Sequence, residues 1–352
     1  VMMQVTLVSI VVAMPKRLLT LCCFLLCSGV WAQQKPHYSQ YMMNGYLLNP
    51  ALSGIEDYMD VKTGYRNQWS GFGGEPTTFY LSAHGALNKP DRTSVGALPV
   101  RGNNGRRIPK AKYNPYQVVP GHHGVGMMLV SDKTGPTSRT SFALSYAYHL
   151  PLRNGMKLSL GASGGLTQHT LDFDKITLAN PVDPVTQQGK VNTTQPDVNI
   201  GAWLYTRQWY VGASANQILA KKLDFTGNQG SYQWLGQLYT HYFVTAGYRA
   251  ELSEDWAFSP SVMVKYVRPT PLSFDINAKL FFRDRFWFGG SYRHKDAVVG
   301  LVGFNVNYLI NIGYSYDYVL SSINTVAKGS HEVVIGIMLN NKQRILCPVH
   351  MW

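Results

Sequence analysis

The sequence has 352 residues, of which 45% are hydrophobic and 14% charged, and its formal net charge is +13. This balance is typical of one large domain or barrel with a basic polar surface. The lysines and arginines are spread through strands and loops and form no basic helix, which argues against nucleic acid as a partner and favours acidic partners or lipid head groups.

The first 32 residues have the pattern of an upstream segment followed by a secretory signal peptide. Two cations at 16–17 precede the apolar run 18–27, and Val-Trp-Ala at 30–32 forms a small-x-small cleavage site. Neither apolar stretch reaches the roughly 18–20 unbroken residues of a membrane helix. We therefore expect export and a mature chain that begins near Gln33, and we interpret residues 1–13 as the product of an upstream start site.

Cysteine usage agrees with this interpretation. Three of the four cysteines lie within the expected signal peptide, which leaves Cys347 alone in the mature chain. An internal disulfide bond is therefore not expected.

Residues 33–57 form an N-terminal segment without the alternation of a barrel strand. The stretch from Gln34 to Gly54 is polar and aromatic, and Pro50 and Gly54 mark turns within it. Its tyrosines and asparagines suit a polar lumen better than they suit lipid. We predict that this segment lies against or inside the barrel wall on the periplasmic side.

Alternation with a period of two then dominates the chain. It is clearest over residues 272–283, where one face is apolar and the other polar. The face predicted to meet lipid includes Phe274, Ile276 and Leu280, and the opposite face includes Asn277 and Lys279. Several stretches approach the ~9–11 residues that a tilted strand needs to cross a bilayer. Besides 272–283, the pattern predicts strands at 58–69, 77–87, 123–131, 141–150, 157–171, 198–205, 210–217, 238–250, 262–266, 286–292, 310–318 and 331–339.

These strands predict an all-β fold, a transmembrane antiparallel β-barrel of about 14 strands over residues 58–340, with the N-terminal segment in the periplasm or the lumen. An even number favours closure of a single-chain barrel in the outer membrane. A soluble β-sandwich also alternates, but its strands usually run ~5–6 residues and it seldom carries so many tyrosines at strand ends. The barrel is therefore the favoured architecture.

Three long connections, 88–121, 172–195 and 218–236, and a C-terminal tail, 341–352, carry no barrel pattern. With the N-terminal segment in the periplasm, strand parity places 172–195 and 218–236 outside the cell and 88–121 in the periplasm. We name 88–121 the basic connection, because it carries seven cations against the single acid Asp91, a net charge of about +6. A solvated loop and a contact surface for an acidic partner both explain this charge.

Seven short motifs are spread over nearly the whole mature chain. They are Gln40-Tyr41 with Asn44, Asn49-Pro50-Ala51 with Gly54, Tyr65-Arg66-Asn67-Gln68-Trp69, His123-Gly124-Val125-Gly126, Asp132-Lys133-Thr134-Gly135, Ser145-Tyr146-Ala147-Tyr148-His149 and Gly329-Ser330-His331-Glu332. In order and spacing they resemble the PorP/SprF family of outer-membrane proteins in the type IX secretion and gliding machinery.

This resemblance implies an outer-membrane barrel that performs no chemistry, needs no cofactor and takes part in protein secretion. The implied partners are a periplasmic ring made of a lipoprotein and a soluble protein, a peptidoglycan-binding adaptor, and secreted cargo or its C-terminal domain. We hypothesise that the N-terminal segment and the basic connection bind partners through Tyr41, Asn44, Asn49, Pro50, Arg101, Arg106, Arg107 and Lys110. A turn that merely starts the barrel explains Asn49 and Pro50 equally well.

Two other functions stay open from the residues alone. An anion-preferring diffusion or uptake channel would use cations expected to face the lumen, namely Arg249, Lys265, Lys279 and Arg293. A lipid-acting barrel enzyme would use Ser82 and His84, which share a strand face, but no Asp or Asn is placed to orient them, so polar lumen lining is favoured. His122 and His123 point to opposite faces of a strand, so a shared metal is not expected.

Overall fold

The computed structural model describes residues 38–71, 74–87, 121–175, 189–219, 222–224, 235–268, 270–325 and 328–341. The expected signal peptide, the basic connection up to residue 120 and the tail beyond residue 341 lie outside the described residues. Within these ranges, no helix has both the length and the apolar character needed to cross a membrane.

The described residues form seventeen strands joined mostly by short connections. They are β1 Met59–Asn67, β2 Thr77–Leu87, β3 His122–Thr134, β4 Thr137–Pro151, β5 Lys157–Asp172, β6 Lys190–Tyr205, β7 Trp209–Asn216, β8 Lys222–Asp224, β9 Leu235–Gln237, β10 His241–Tyr248, β11 Ala250–Glu251, β12 Trp256–Val267, β13 Ser273–Phe282, β14 Phe286–Arg293, β15 Ala297–Asn305, β16 Ile310–Val319 and β17 Ser330–Leu339.

Antiparallel pairing closes these strands into a barrel. Every barrel strand pairs with its neighbours along the chain, and β1 pairs with β17, from Met59 with Leu339 to Asn67 with His331. Because β10 and β11 both pair with β12 and only Arg249 separates them, they form one interrupted strand. The described residues therefore contain fourteen barrel strands, which confirms the predicted fold, while β8 and β9 form a separate two-stranded sheet.

The two faces of the wall follow the alternation of the sequence. In β13, Ile276 is 54% exposed on the outer face, whereas Asn277 and Lys279 are at most 1% exposed on the lumen side. Phe274 and Leu280 share the outer face with Ile276. A closed wall of this kind satisfies every ladder hydrogen bond internally, which lipid requires, and the apolar outer residues meet the acyl chains. The predicted facing of β13 is confirmed.

The two ends of the barrel differ in their connections. One end, the turn end, carries the short connections 152–156, 206–208, 252–255 and 283–285, together with the start of β1 and the end of β17. The other, the loop end, carries the long connections 173–189, 217–240 and 320–329. In outer-membrane barrels the short turns face the periplasm. Leu87 and His122, which flank the basic connection, both lie at the turn end.

Two predicted loops are shorter than the sequence pattern indicated. β6 begins at Lys190, so the predicted loop 172–195 ends in six strand residues, and the predicted loop 218–236 contains β8 and the start of β9. Residues 190–195 are polar or small on both faces except Val191. Such a stretch lacks the alternation that lipid imposes, so the pattern gave no sign of a strand there.

The outward position of Ile276 predicts a specific loss of stability for Ile276→Arg. Near the middle of a lipid-facing strand, arginine is expected to lower the free energy of unfolding by about 2–4 kcal/mol. Denaturant titration of the barrel in lipid vesicles measures this difference. The control Ile276→Leu keeps the apolar character and is expected to lose less than about 1.5 kcal/mol. Equal losses in the two variants would contradict the assigned face.

Candidate functional site

The described part of the N-terminal segment and the adjoining Tyr58, together residues 38–58, lie inside the barrel, and we name them the lumen segment. Two single-turn 3-10 helices, Gly45–Leu47 and Pro50–Leu52, keep it compact. Its first residues contact the loop ends of the strands, and its last residues join β1 at the turn end. The segment was predicted on the periplasmic side, and its described residues in fact follow the lumen from one end towards the other.

Ser39 anchors the lumen segment at the loop end. Its backbone N–H donates to Glu332 Oε2 at 2.8 Å, and its hydroxyl donates to Asp317 Oδ2 at 2.6 Å. Arg66 completes this group, because its guanidinium donates to Ser39 Oγ at 2.6 Å and pairs with Asp317 at 2.7 Å and Glu332 at 3.2 Å. One residue thus joins β1 and β16 through its hydroxyl and β17 through its backbone N–H.

A second arginine extends this charged group around the wall. Arg293 on β14 lies 3.5 Å from Asp275, 3.1 Å from Asp296 and 3.7 Å from Asp317, and it also donates to Ser39 Oγ at 3.4 Å. Buried charges are tolerated only when they are paired and hydrogen-bonded. Removing the lumen segment would therefore take a hydrogen-bonding partner from both arginines.

The middle of the lumen segment is fixed by amide and hydroxyl groups. Asn44 donates to Ser82 Oγ at 2.8 Å, and the hydroxyls of Tyr46 and Ser145 are 2.6 Å apart. On the opposite wall, Asn277 donates to the hydroxyl of Tyr41. These contacts use the inward faces of β2, β4 and β13, where alternation places polar residues.

Asn49 and Pro50 form a turn that is held directly by the wall. Asn49 Oδ1 accepts from the N–H of Ala51 at 2.9 Å, which caps the short helix that Pro50 starts. The other half of the amide, Nδ2, donates to the carbonyls of Ala202 and Ala213, both at 3.1 Å. One side chain thus shapes the turn and ties it to β6 and β7.

Wall side chains also donate to backbone carbonyls of the lumen segment. Leu48 O accepts from Ser214 at 2.8 Å and from Asn216 at 3.1 Å, and Ala51 O accepts from Ser159 at 2.6 Å. A backbone carbonyl buried without a partner is costly. These donors therefore let a segment without regular sheet pairing be buried in the lumen.

Three wall glycines are shaped to the lumen segment. A Cβ atom at Gly161 would lie 2.6 Å from Ala51 Cα, and one at Gly201 would overlap Asn49 Oδ1. A Cβ atom at Gly124 would overlap the carbonyl of Ser53. Real Cβ atoms essentially never approach other atoms closer than 3.0 Å. Because these positions carry no side chain, the segment can pack directly against the backbone of the wall.

The lumen segment contacts the whole circumference of the barrel. Hydrogen bonds reach the strands through Arg66 (β1), Ser82 (β2), His122 (β3), Ser145 (β4), Ser159 (β5), Ala202 (β6), Ser214 (β7), Asn277 (β13), Arg293 (β14), Asp317 (β16) and Glu332 (β17). Apolar clusters add Phe243 (β10), Met263 (β12) and Leu301 (β15). Each of the fourteen barrel strands of the described chain therefore either hydrogen-bonds to the segment or shares an apolar cluster with it.

A cavity of about 80 Å³ lies between the lumen segment and the wall. Asn44 and Asp60 line it, and each has a side-chain oxygen without a hydrogen-bond partner among the described residues. A volume of this size holds a few water molecules.

The predicted partner-binding residues fall into two groups. Tyr41, Asn44, Asn49 and Pro50 are all buried in the lumen, where their contacts are with the wall and within the segment. Their binding to a partner stays a prediction, and it would require the segment to leave its position. The other group, Arg101, Arg106, Arg107 and Lys110, lies outside the described residues.

Other residues singled out from the sequence also contact the lumen segment. Ser82 accepts from Asn44, and His84 Nδ1 accepts from the N–H of Gly54 at 3.3 Å. His122 is buried in the lumen, whereas His123 lies on the outer face beside Tyr146. In the ranges that the structure covers, no cluster of three His, Cys, Asp or Glu residues could hold a metal ion.

Sequence reasoning missed the anchor formed by Ser39, Arg66, Asp317 and Glu332. The signal was present, because alternation in β1, β16 and β17 puts these three charged residues on the lumen face. Isolated charges on the inner face of a closed barrel need partners, and Ser39 lies between them.

Comparison with known proteins identifies a family. The family model described as type IX secretion system membrane protein PorP/SprF matches residues 30–337. No curated protein matches this chain.

Solved structures similar to this chain are outer-membrane proteins with low sequence identity. The P. putida toluene transporter TodX has 10% identity and a TM-score of 0.47, with 83% of this chain and 92% of that chain covered. The Ralstonia pickettii toluene transporter TbuX has 10% identity and a TM-score of 0.46, with coverage of 87% and 93%. The Acinetobacter baumannii outer membrane protein Omp33 has 9% identity and a TM-score of 0.45, with 82% of this chain and 100% of that chain covered.

The glycine contacts predict that Gly161→Ala displaces the lumen segment while the barrel stays closed. The added methyl would overlap Ala51, and overpacking of this kind costs about 1–3 kcal/mol. Single-channel conductance is expected to rise, and chymotrypsin is expected to cut within residues 38–58, which contain several tyrosines.

Gly164→Ala is the matched control, because Gly164 is on the outer face of the same strand and a Cβ there has no atom within 4 Å. Its conductance and protease pattern should equal those of the unmodified barrel. Identical behaviour of the two variants would show that the glycine does not seat the segment.

Proposed function

Because this chain belongs to the PorP/SprF family of type IX secretion system membrane proteins, we propose that it acts as an anchor for the secretion machinery at the outer membrane. In this role the barrel holds the periplasmic ring, or secreted cargo proteins, at the membrane. The ring consists of a lipoprotein and its soluble partner, and a peptidoglycan-binding adaptor is a further candidate partner.

The observation that carries this proposal is the contact of the lumen segment with all fourteen strands of the described barrel. An open diffusion pore needs a continuous aqueous path, and this segment takes up the space that such a path would use. A barrel with a filled lumen is suited to anchoring and docking.

The cations expected to make an anion channel are engaged in local contacts. Arg293 pairs with three carboxylates, Arg249 pairs with Asp284 at 2.8 Å, and Lys279 donates to Met42 O at 3.4 Å. The carboxylates beside Arg293 and Arg249 cancel much of the field of these two arginines, so the arginines attract a passing anion only weakly. These contacts favour the anchoring function over anion uptake.

The turn end is the side on which we place the docking surface. The lumen segment joins β1 there, and the basic connection leaves β2 and returns to β3 there. The basic connection has a net charge of about +6, from seven cations and Asp91, and this charge would attract an acidic surface of a ring protein. Arg101, Arg106, Arg107 and Lys110 are four of these seven cations and are the proposed contact residues.

Deletion of residues 38–54 is expected to leave membrane insertion intact and to abolish secretion. The strands that form the wall start at Met59, whereas the docking end loses the segment that fixes its geometry. Secretion of cargo into the medium, with heat-modified gel mobility as the readout of barrel closure, measures the two effects separately. Normal secretion by a correctly inserted deletion variant would overturn the role of this segment.

Neutralising the basic connection tests the docking surface directly. The variant Arg101→Gln, Arg106→Gln, Arg107→Gln and Lys110→Gln is expected to retain fewer ring proteins on purification, with the difference largest at low salt. Electrostatic attraction is screened over about 8–10 Å at ordinary ionic strength, so raising the salt concentration should reduce the difference. The thermal stability of the barrel should not change.

The matched control neutralises four exposed cations at the loop end, by Lys133→Gln, Lys175→Gln, Arg268→Gln and Lys295→Gln. It removes the same charge from the other end of the barrel and should leave ring recruitment unchanged. Equal recruitment by the two quadruple variants would place the docking surface elsewhere.

A further inference from the structure

Three histidines hold the end of the lumen segment at the turn end. His149 Nε2 lies 2.8 Å from the carbonyl of Ser53, and His122 Nε2 lies 3.1 Å from the carbonyl of Gly54. His84 Nδ1 lies 3.3 Å from the backbone nitrogen of Gly54. The histidines come from β4, β3 and β2, so three adjacent strands meet two consecutive residues of the segment.

The backbone at this corner has little freedom. Gly54 has a φ of +72°, and a Cβ atom on it would lie 2.5 Å from Gly124 Cα. Gly124 in turn has no room for a side chain against Ser53. The corner is therefore closely packed, and the three imidazole rings satisfy the backbone groups of Ser53 and Gly54 that face the wall.

Each of these hydrogen bonds fixes where a ring carries its proton. A carbonyl only accepts, so His122 and His149 must donate through Nε2, and the N–H of Gly54 only donates, so His84 must accept through an unprotonated Nδ1. His149 Nδ1 lies 2.9 Å from the hydroxyl of Tyr205, which can donate to it. His84 is therefore placed as a neutral ring with the proton on Nε2, whereas His149 carries a proton on Nε2 and faces with Nδ1 a hydroxyl that can donate or accept.

Protonation conflicts with this arrangement at two points. A proton on Nδ1 of His84 would face the N–H of Gly54, so a hydrogen bond would be replaced by two opposed donors. The rings of His122 and His149 are stacked, with centroids 4.3 Å apart and planes 4° from parallel. Two charged imidazolium rings at this separation repel each other strongly in a buried site.

The charged and titratable groups around the histidines are mixed. On β1, Asp60 Oδ2 is 3.8 Å from His84 Nε2 and pairs with Lys62, and from the segment Tyr46 packs on His84 with ring centroids 4.8 Å apart. Glu56 also interacts electrostatically with His84, and both Glu56 and Asp57 interact electrostatically with Tyr205. These carboxylates attract a protonated His84, but they leave its clash with the N–H of Gly54 in place.

We propose that His84, His122 and His149 form a pH-sensitive latch that seats the lumen segment at neutral pH and releases its turn-end corner in acid. Histidine is the side chain whose charge ordinarily changes between about pH 5 and pH 8. The released state binds more protons than the seated state. Seating is therefore fully stable at neutral pH and weakens as the pH falls.

Single-channel recording with acid added only to the turn-end chamber tests the latch. Conductance of the unmodified barrel is expected to rise about tenfold between about pH 7.5 and about pH 4.5. The triple variant His84→Asn, His122→Gln and His149→Gln keeps an acceptor for Gly54 and donors for both carbonyls but cannot titrate. It is expected to keep its low conductance at both pH values.

Three outcomes would overturn the latch. The first is a conductance of the unmodified barrel that does not change with pH. The second is a triple variant that opens in acid as the unmodified barrel does, which would assign the effect to the nearby carboxylates Glu56, Asp57 and Asp60. If the triple variant already conducts at neutral pH, the single variant His84→Asn is measured instead. The latch predicts that this variant opens at a lower pH than the unmodified barrel does, and the absence of such a shift is the third outcome.

Discussion

The polar inner face of the closed wall is the constraint on which the rest of this structure depends. Alternation forces every second residue of each strand into the lumen, and here many of those residues are amides, hydroxyls, imidazoles and charges. Buried polar groups without partners are costly. The lumen segment supplies the partners, and its own carbonyls are satisfied in return by residues such as Ser159 and Ser214. The wall and the segment are therefore one polar network.

The charged group at the loop end gives this network its strongest point. Arg66 on the first strand meets Asp317 and Glu332 on the last two, so the group lies across the seam where the barrel closes. Breaking a buried pair typically costs about 3–5 kcal/mol, because an uncompensated charge remains. Ser39 sits between these charges, and the position of the segment and the closure of the seam are thus supported by the same contacts.

The sequence predicts what lipid and alternation dictate, and little of what long-range contacts dictate. The facing of Ile276 and Asn277 could be predicted, because lipid and lumen demand opposite chemistry on the two faces. The start of β6 at Lys190 could not, because that stretch carries polar residues on both faces. The polar aromatic composition indicated a lumen position for the N-terminal segment, whereas its pairing of Ser39 with Glu332 depends on the three-dimensional fold.

The path of the lumen segment also sets an order in time for folding. Asn44 and Ser82 are 38 positions apart in the chain, whereas Ser39 and Glu332 are 293 apart. Contacts between distant residues form late, because closing a long loop costs chain entropy. The middle of the segment can dock on the first strands as they form, but its loop-end anchor must wait for β16 and β17. Completion of that anchor therefore marks the moment at which the last strand, β17, has paired with the first, β1.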